Sequence, residues 1–272
     1  MKKRFIILID FSDQTSNLIR YACDWSRQAN AKLMLVHETI VIAPSLIDSE
    51  SREQITQEAN NAAFQKMKAL TDELIPSSTE VSFSISESHI QTTLNNLLAE
   101  PFENYIFAGL SGTGIIKQIL IGSVTLQIIE NINNTVIAMP KDIYKFSHEK
   151  IFVAVTETHP LNILELNKVL NLMDEAETCI TFFYLAKPKE DTSGIELILN
   201  DLAKLFTDRY ETKTAIYKGR NRISEIKKVI NDREEELLIV QKGSRLLTDQ
   251  IFRKFLINEL VYEGQIPLIV LP

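Results

Sequence analysis

Four of the eight glycines in this chain fall between positions 109 and 122, in a pattern suited to phosphate chemistry. Gly109-Leu110-Ser111-Gly112 is followed, after nine residues, by Gly122-Ser123. A glycine presents no Cβ, so its backbone amide can come close to an anion, and it adopts conformations other residues avoid. Ser123 opens a run of helical character. Free amides and the helix dipole at such an end favour an anion, and the serine hydroxyl can add a further hydrogen bond. The same residues would serve equally as a flexible loop and an ordinary serine cap. The spacing is not a Walker A loop, because no Gly-Lys-Ser/Thr occurs, and it is not the dinucleotide fingerprint, which follows a first strand.

Other groups that could carry chemistry are scattered. His37, His89, His148 and His159 show no metal-ligand spacing, so no metal site is expected. No GxSxG marks a nucleophile, and no catalytic residue is assigned. Ser111-Gly112-Thr113-Gly114 is similar to the pyrophosphatase loop of adenylating enzymes but follows the wrong strand. Cys23 and Cys179 stand in different halves and read as reduced, buried thiols of a cytoplasmic protein. The net charge of -7 argues against a nucleic-acid partner, and Lys227-Lys228 and Arg253-Lys254 read as solvated pairs. No apolar run is long enough to cross a bilayer. The basic start, Met1-Lys2-Lys3-Arg4, precedes only a short apolar run, too short for a signal peptide and read as a first strand.

Strands and helices must alternate to place the glycines. Arg4–Asp10 is an apolar run typical of a strand buried on both faces. A helix is predicted over Asp13–Ala29 behind a cap at Ser12. Lys32–Glu38 is a second strand, and Ser49–Leu74 a long helix stopped by Pro76. Glu80–Ser86 alternates like a strand near an edge, and His89–Ala99 carries one apolar helix face. Asn104–Ala108 is the fourth strand, Ser123–Asn131 a helix, and Thr135–Met139 the fifth strand. The glycine segment therefore lies past the carboxyl end of the fourth strand, where open parallel sheets bind ligands.

After a polar and aromatic stretch, the order repeats. Ile151–Val155, Cys179–Leu185, Lys213–Tyr217, Glu236–Gln241 and Pro267–Pro272 read as strands. Leu161–Asp174, Gly194–Tyr210, Ile223–Asn231 and Lys254–Tyr262 read as helices. The fold class is α/β: two tandem open parallel five-stranded sheets flanked by helices, Rossmann-like. Residues 1–140 form one domain, 141–150 a linker and 151–272 a second domain. Val136–Met139 and Leu268–Leu271 are short apolar strands that need covering.

The motif residues resemble the universal stress protein family in its tandem form. Gly-x2-Gly-x9-Gly-Ser is similar to that family's ATP-binding signature. Ile9-Asp10-Phe11-Ser12 and Leu35-Val36-His37 resemble the ends of its first and second strands. The resemblance covers the whole chain, strongly in the first half and weakly in the second, and it implies an adenine nucleotide α-hydrolase-like fold. Carried over, Asp10 would contact the adenosine end of the nucleotide. Glu38, where the family has a small apolar residue, would flank the adenine. Gly109, Gly112, Gly122, Ser123 and Val124 would hold ribose and phosphates. Asp10 also reads as a plain turn or cap residue. In the family two such domains pair through their last strands, which implies an intrachain pseudo-dimer, with a homodimer of the whole chain also open.

The second half lacks these groups. Thr156 or Glu157 aligns with Asp10, one glycine remains in Val240-Gln241-Lys242-Gly243-Ser244, and Lys254 and Phe255 stand where Gly122-Ser123 would be. The expected function is a cytoplasmic ATP-, ADP- or AMP-binding stress-response or regulatory protein, with or without Mg2+. One nucleotide is expected per chain, in the first domain. The alternatives are a slow ATPase or nucleotide-dependent enzyme, and an interaction scaffold that binds no nucleotide. The protein partner and the triggering stress are not readable.

Overall fold

The computed structural model describes residues 1–41, 48–110, 123–157, 159–186, 189–218, 236–244 and 266–272. Gly112, Gly122, Lys254, Phe255 and the helices expected over 223–231 and 254–262 lie outside these residues.

The first half runs β1 (Lys2–Leu8), α1 (Thr15–Ala29), β2 (Lys32–Glu38), α2 (Ser49–Leu74), β3 (Val81–Ser86), α3 (Ile90–Leu98), β4 (Phe102–Gly109), α4 (Ser123–Asn131) and β5 (Val136–Met139). The second half runs β6 (Lys150–Ala154), α5 (Ile163–Leu170), a short 3-10 turn (Glu175–Glu177), β7 (Cys179–Leu185), α6 (Ser193–Phe206), β8 (Glu211–Tyr217), β9 (Glu236–Gln241) and β10 (Leu268–Leu271).

The strands form one mostly parallel ten-stranded sheet in the order β3-β2-β1-β4-β5-β10-β9-β6-β7-β8. The order 3-2-1-4-5 of the first half recurs as 8-7-6-9-10. The two five-stranded halves join into this one sheet through their last strands, where β5 and β10 pair antiparallel with Ile137 opposite Ile269. All four residues of each of these strands are buried, whereas the outer strands β3 and β8 are largely half-buried or exposed.

Alternation along the strands builds two core layers. Phe5 and Ile7 face one layer with the apolar sides of α1, α2, α5 and α6; Ile6 faces the other with α3 and α4. Both layers run through both halves, since Ile151 and Ile269 belong to the first and Phe152 and Leu268 to the second.

Local boundaries differ from the sequence reading for identifiable reasons. β1 begins at Lys2, because Lys2 and Lys3 pair with Phe102 and Glu103 of β4. Ser12 does not cap α1; its hydroxyl donates to Asp10 Oδ1 at 2.7 Å, and the helix starts at Thr15. Residues between the halves are not merely polar connection: Phe146 is buried and stacks on Trp25, and His148 is buried against Thr178.

The halves are also bonded end to end. The carbonyls that follow α5 have no donor within the helix. They receive one from Trp25 Nε1 to Leu172 at 3.1 Å and one from Lys3 Nζ to Asn171 at 3.4 Å. In the other direction, Lys242 Nζ donates to Ile132 O at the end of α4, at 2.9 Å.

At the amino ends of the strands, Arg4 is buried and fully engaged. Its guanidinium donates to Asn104 Oδ1 at 2.8 Å, Glu100 Oε2 at 2.7 Å and Leu97 O at 2.6 Å. It also lies over the Phe102 ring, and so bolts β1 to the end of α3.

Candidate functional site

Within the first half the chain steps outward from β1 to β2 and β3, then returns to place β4 on the other side of β1. The loops leaving β1 and β4 therefore diverge, opening a crevice at the carboxyl ends of these two strands. Asp10, Phe11 and Gln14 come from the β1 side of this crevice and Gly109 from the β4 side.

The β1 loop is wound tightly. Asp10 Oδ1 accepts from the Ser12 amide at 3.0 Å, the Ser12 hydroxyl at 2.7 Å and the Thr15 hydroxyl at 3.0 Å. The Asp10 side chain is exposed and held in a fixed orientation by its own loop. Phe11 has a φ of +56°, a conformation unfavourable for a bulky residue. Its ring packs 4.5 Å from that of His37 and 5.5 Å from Lys66 Nζ. His37 in turn lies 2.7 Å, through Nδ1, from the Ile9 carbonyl, tying β2 to the end of β1.

Gly109 shows why glycine stands at the end of β4, and the reason is space rather than a left-handed backbone. A Cβ at Gly109 would lie 2.0 Å from Gln14 Nε2 and 2.6 Å from Gln14 Cδ. The carboxamide of Gln14 thus rests on the face of Gly109. It is buried, and its Oε1 has no hydrogen-bond partner among the described residues. A second such oxygen, Thr39 Oγ1, is buried just past the end of the neighbouring strand β2.

Behind the crevice, the Thr125 hydroxyl donates to Gly109 O at 2.7 Å. This bond fixes the first turn of α4 to the end of β4. Ser123 begins α4, and Val124 is exposed on its first turn. Glu38 is engaged elsewhere. Its Oε2 accepts from the Ile90 amide at 2.9 Å, so the carboxylate serves the amino end of α3, where negative charge is stabilising.

The structure therefore gathers Asp10, Gly109 and the start of α4 around one crevice and directs Glu38 to α3. The sequence gives Gln14 and Thr39 no part in the site, and Phe11 and Thr125 no role of their own beyond lying beside motif residues. A glutamine at a helix start reads as solvated, and only the spacing of Gln14, four residues beyond Asp10, offers a signal.

The equivalent crevice of the second half lies between β6 and β9 and differs in kind. Thr156 Oγ1 donates to His159 O at 3.1 Å, and Gly243, at φ +74°, passes beside the His159 ring. Gln241 closes one side: its Oε1 accepts from Asn162 N at 2.9 Å, and its Nε2 donates to Pro272 O at 2.6 Å. Both thiols are poor nucleophile candidates, because burial pushes the Cys23 and Cys179 pKa values up. Among the described residues, no group of three or more His, Cys, Asp or Glu side chains is placed to hold a metal ion, and no helix is long and apolar enough to cross a membrane.

No protein-family model matches the sequence, and no curated protein does either. Solved structures match the fold. A universal stress protein from Archaeoglobus fulgidus superposes with a TM-score of 0.70 at 12% identity, over 98% of this chain and 97% of that one. This chain has the universal stress protein fold. A functionally unknown protein from Pseudomonas aeruginosa matches with a TM-score of 0.55 at 12% identity, over 99% of this chain and 92% of that one. The cytoplasmic domain of a prokaryotic cation chloride cotransporter matches with a TM-score of 0.50 at 10% identity, over 99% of this chain and 95% of that one. The shared fold is thus found both in a universal stress protein and in the cytoplasmic domain of a transporter.

Proposed function

We propose that this chain is a cytoplasmic, adenine-nucleotide-binding regulatory protein of the stress-response type, which holds one nucleotide in its first half. The observation that carries the reading is the crevice between β1 and β4, where the exposed Asp10 carboxylate and the Cβ-free end of β4 meet beside the start of α4. A carboxylate suits sugar hydroxyls or a base amine, and a helix start suits phosphate. ATP, ADP and AMP all offer both, and bound Mg2+ would be carried by the phosphates. Gly112, Gly122 and Ser123 complete the phosphate contacts in this reading. The groups present bind a nucleotide without an evident general base, so turnover is slow or nil.

A second reading is favoured by two observations. Gln14 fills the space over Gly109, and Glu38 is committed to α3. Both suit a scaffold that has given up nucleotide binding and works through its surface.

One experiment separates them. The purified protein is denatured and released nucleotide identified by mass spectrometry, and ATP is titrated into the wild type and into Gly122→Val. Binding near one equivalent, weakened about tenfold to a hundredfold by the substitution, supports the nucleotide reading. No released nucleotide and no uptake at millimolar ATP supports the scaffold.

A further inference from the structure

We propose that Gln14 is the residue by which the crevice recognises a ribose, its Oε1 accepting a hydrogen bond from a ribose hydroxyl of the bound nucleotide. The inference rests on the nucleotide reading and adds one side-chain contact to it. Gln14 is 3% exposed, and its carboxamide is pressed onto Gly109 at the reversal point of the strand order. Its Oε1 is an acceptor with no donor among the described residues. Buried polar atoms are nearly always paired, and an orphan at the mouth of a crevice marks a place where a ligand supplies the partner. The chemistry of that partner is constrained. An acceptor needs a donor, and the phosphates of a nucleotide carry none at neutral pH. Donors on adenine nucleotides are the ribose hydroxyls and the exocyclic amine of the base. In the nucleotide reading, the sequence after Gly109 takes the phosphates, and the group joined to a phosphate is the ribose, not the base. A hydroxyl is therefore the donor that reaches Oε1.

The test is calorimetric titration of the full chain with ATP and with 2′,3′-dideoxy-ATP, for the wild type, Gln14→Leu and Gln14→Ala. The wild type is expected to prefer ATP about tenfold, the worth of one such hydrogen bond. In Gln14→Leu the preference should fall below about twofold through loss of ATP affinity, with dideoxy-ATP affinity unchanged. Thermal melts accompany the titrations. Removing a buried amide whose oxygen is unpaired should leave the melting temperature unchanged or raised, whereas a purely structural glutamine would lower it. A tenfold preference that survives in Gln14→Leu, or a wild type that binds both ligands equally, overturns the assignment while leaving nucleotide binding intact. A wild type that binds neither ligand overturns the nucleotide reading and this contact with it. Gln14→Ala, a simple truncation, is read the same way should the leucine variant not fold.

Discussion

Trp25 and Phe146 lie face to face, their ring centroids 4.4 Å apart and their planes 9° from parallel. Trp25 belongs to α1 and Phe146 to the stretch that joins the two halves, while the Trp25 indole also donates to Leu172 in the second half. One side chain thus bonds both the connection and the far half of the protein.

Removing the stacked partner should be costly. Phe146→Ala empties a buried space beside Trp25 and Tyr21, and Phe→Ala changes in cores cost about 3–5 kcal/mol. The chain has one tryptophan, so its fluorescence reports on this contact directly. The midpoint of urea unfolding followed at Trp25 should fall clearly; an unchanged midpoint would show the stack to be incidental.

His148 makes stability depend on pH. Thr178 gives its own proton to Asp174 O, so its Oγ1 accepts from His148 Nδ1, and Nε2 is left to accept from Gln28. The ring is neutral in this arrangement, and burial pulls its pKa below the usual 6.5 despite the opposing pull of Glu177 and Asp174. The unfolded chain therefore takes up the proton first. The stabilisation is present above about pH 6.5 and is lost as pH falls through the lower, folded value. Melts between pH 7.5 and 5 should show a decline that His148→Gln makes shallower; equal slopes would refute this.

Arg4→Met should destabilise the fold without touching the crevice. It takes the donor from buried Asn104 and from the Leu97 carbonyl, each loss costing about 1–3 kcal/mol. Arg4 sits at the amino ends of the strands, the far side from Gly109. A lower melting temperature with nucleotide affinity unchanged is expected, and a parallel loss of affinity would contradict the placement of the site.

Gly109→Ala tests which group needs the glycine. The new methyl would collide with the end of the Gln14 side chain, a flexible obstacle that can move aside. Only a small loss of stability is therefore expected, while ligand preference should change as it does in Gln14→Leu. A large loss of stability would mean that backbone rather than Gln14 is the tight neighbour.

Glu38→Ala removes the acceptor for the first free amide of α3. Lost helix caps cost about 1 kcal/mol, a fall of roughly 2–4 °C in melting temperature for a chain of this order of size. If Glu38 instead attends to the ligand, affinity rather than melting temperature will move.

Much of the architecture is legible in the sequence because its signals are local and periodic. Phe5-Ile6-Ile7 reads as a strand buried on two faces and is one. Val81, Phe83 and Ile85 alternate with polar residues, and β3 lies at an edge. What escapes is whatever depends on a distant partner. Glu38 serves a helix start 52 residues away, and nothing near Glu38 announces it. Phe146 and His148 show no period, so their burial follows only from α1 being there to receive them. Arg4 reads as part of a basic start, since its partners begin 93 residues later. At the end of β4, glycine spacing draws attention to Gly109, but the reason for that glycine is a neighbouring side chain that spacing cannot reveal.

The antiparallel seam between β5 and β10 has a consequence for how the two halves can change. When two separate identical chains meet across such a seam, the axis makes every substitution appear twice, and each residue must suit its own copy. Here Ile137 and Ile269 are different positions of one polypeptide. Each can drift alone, with its opposite number free to compensate. A tether also makes the union indifferent to dilution, since the partner is always at hand. Either half is thereby free to change its own surface while still propping up the other.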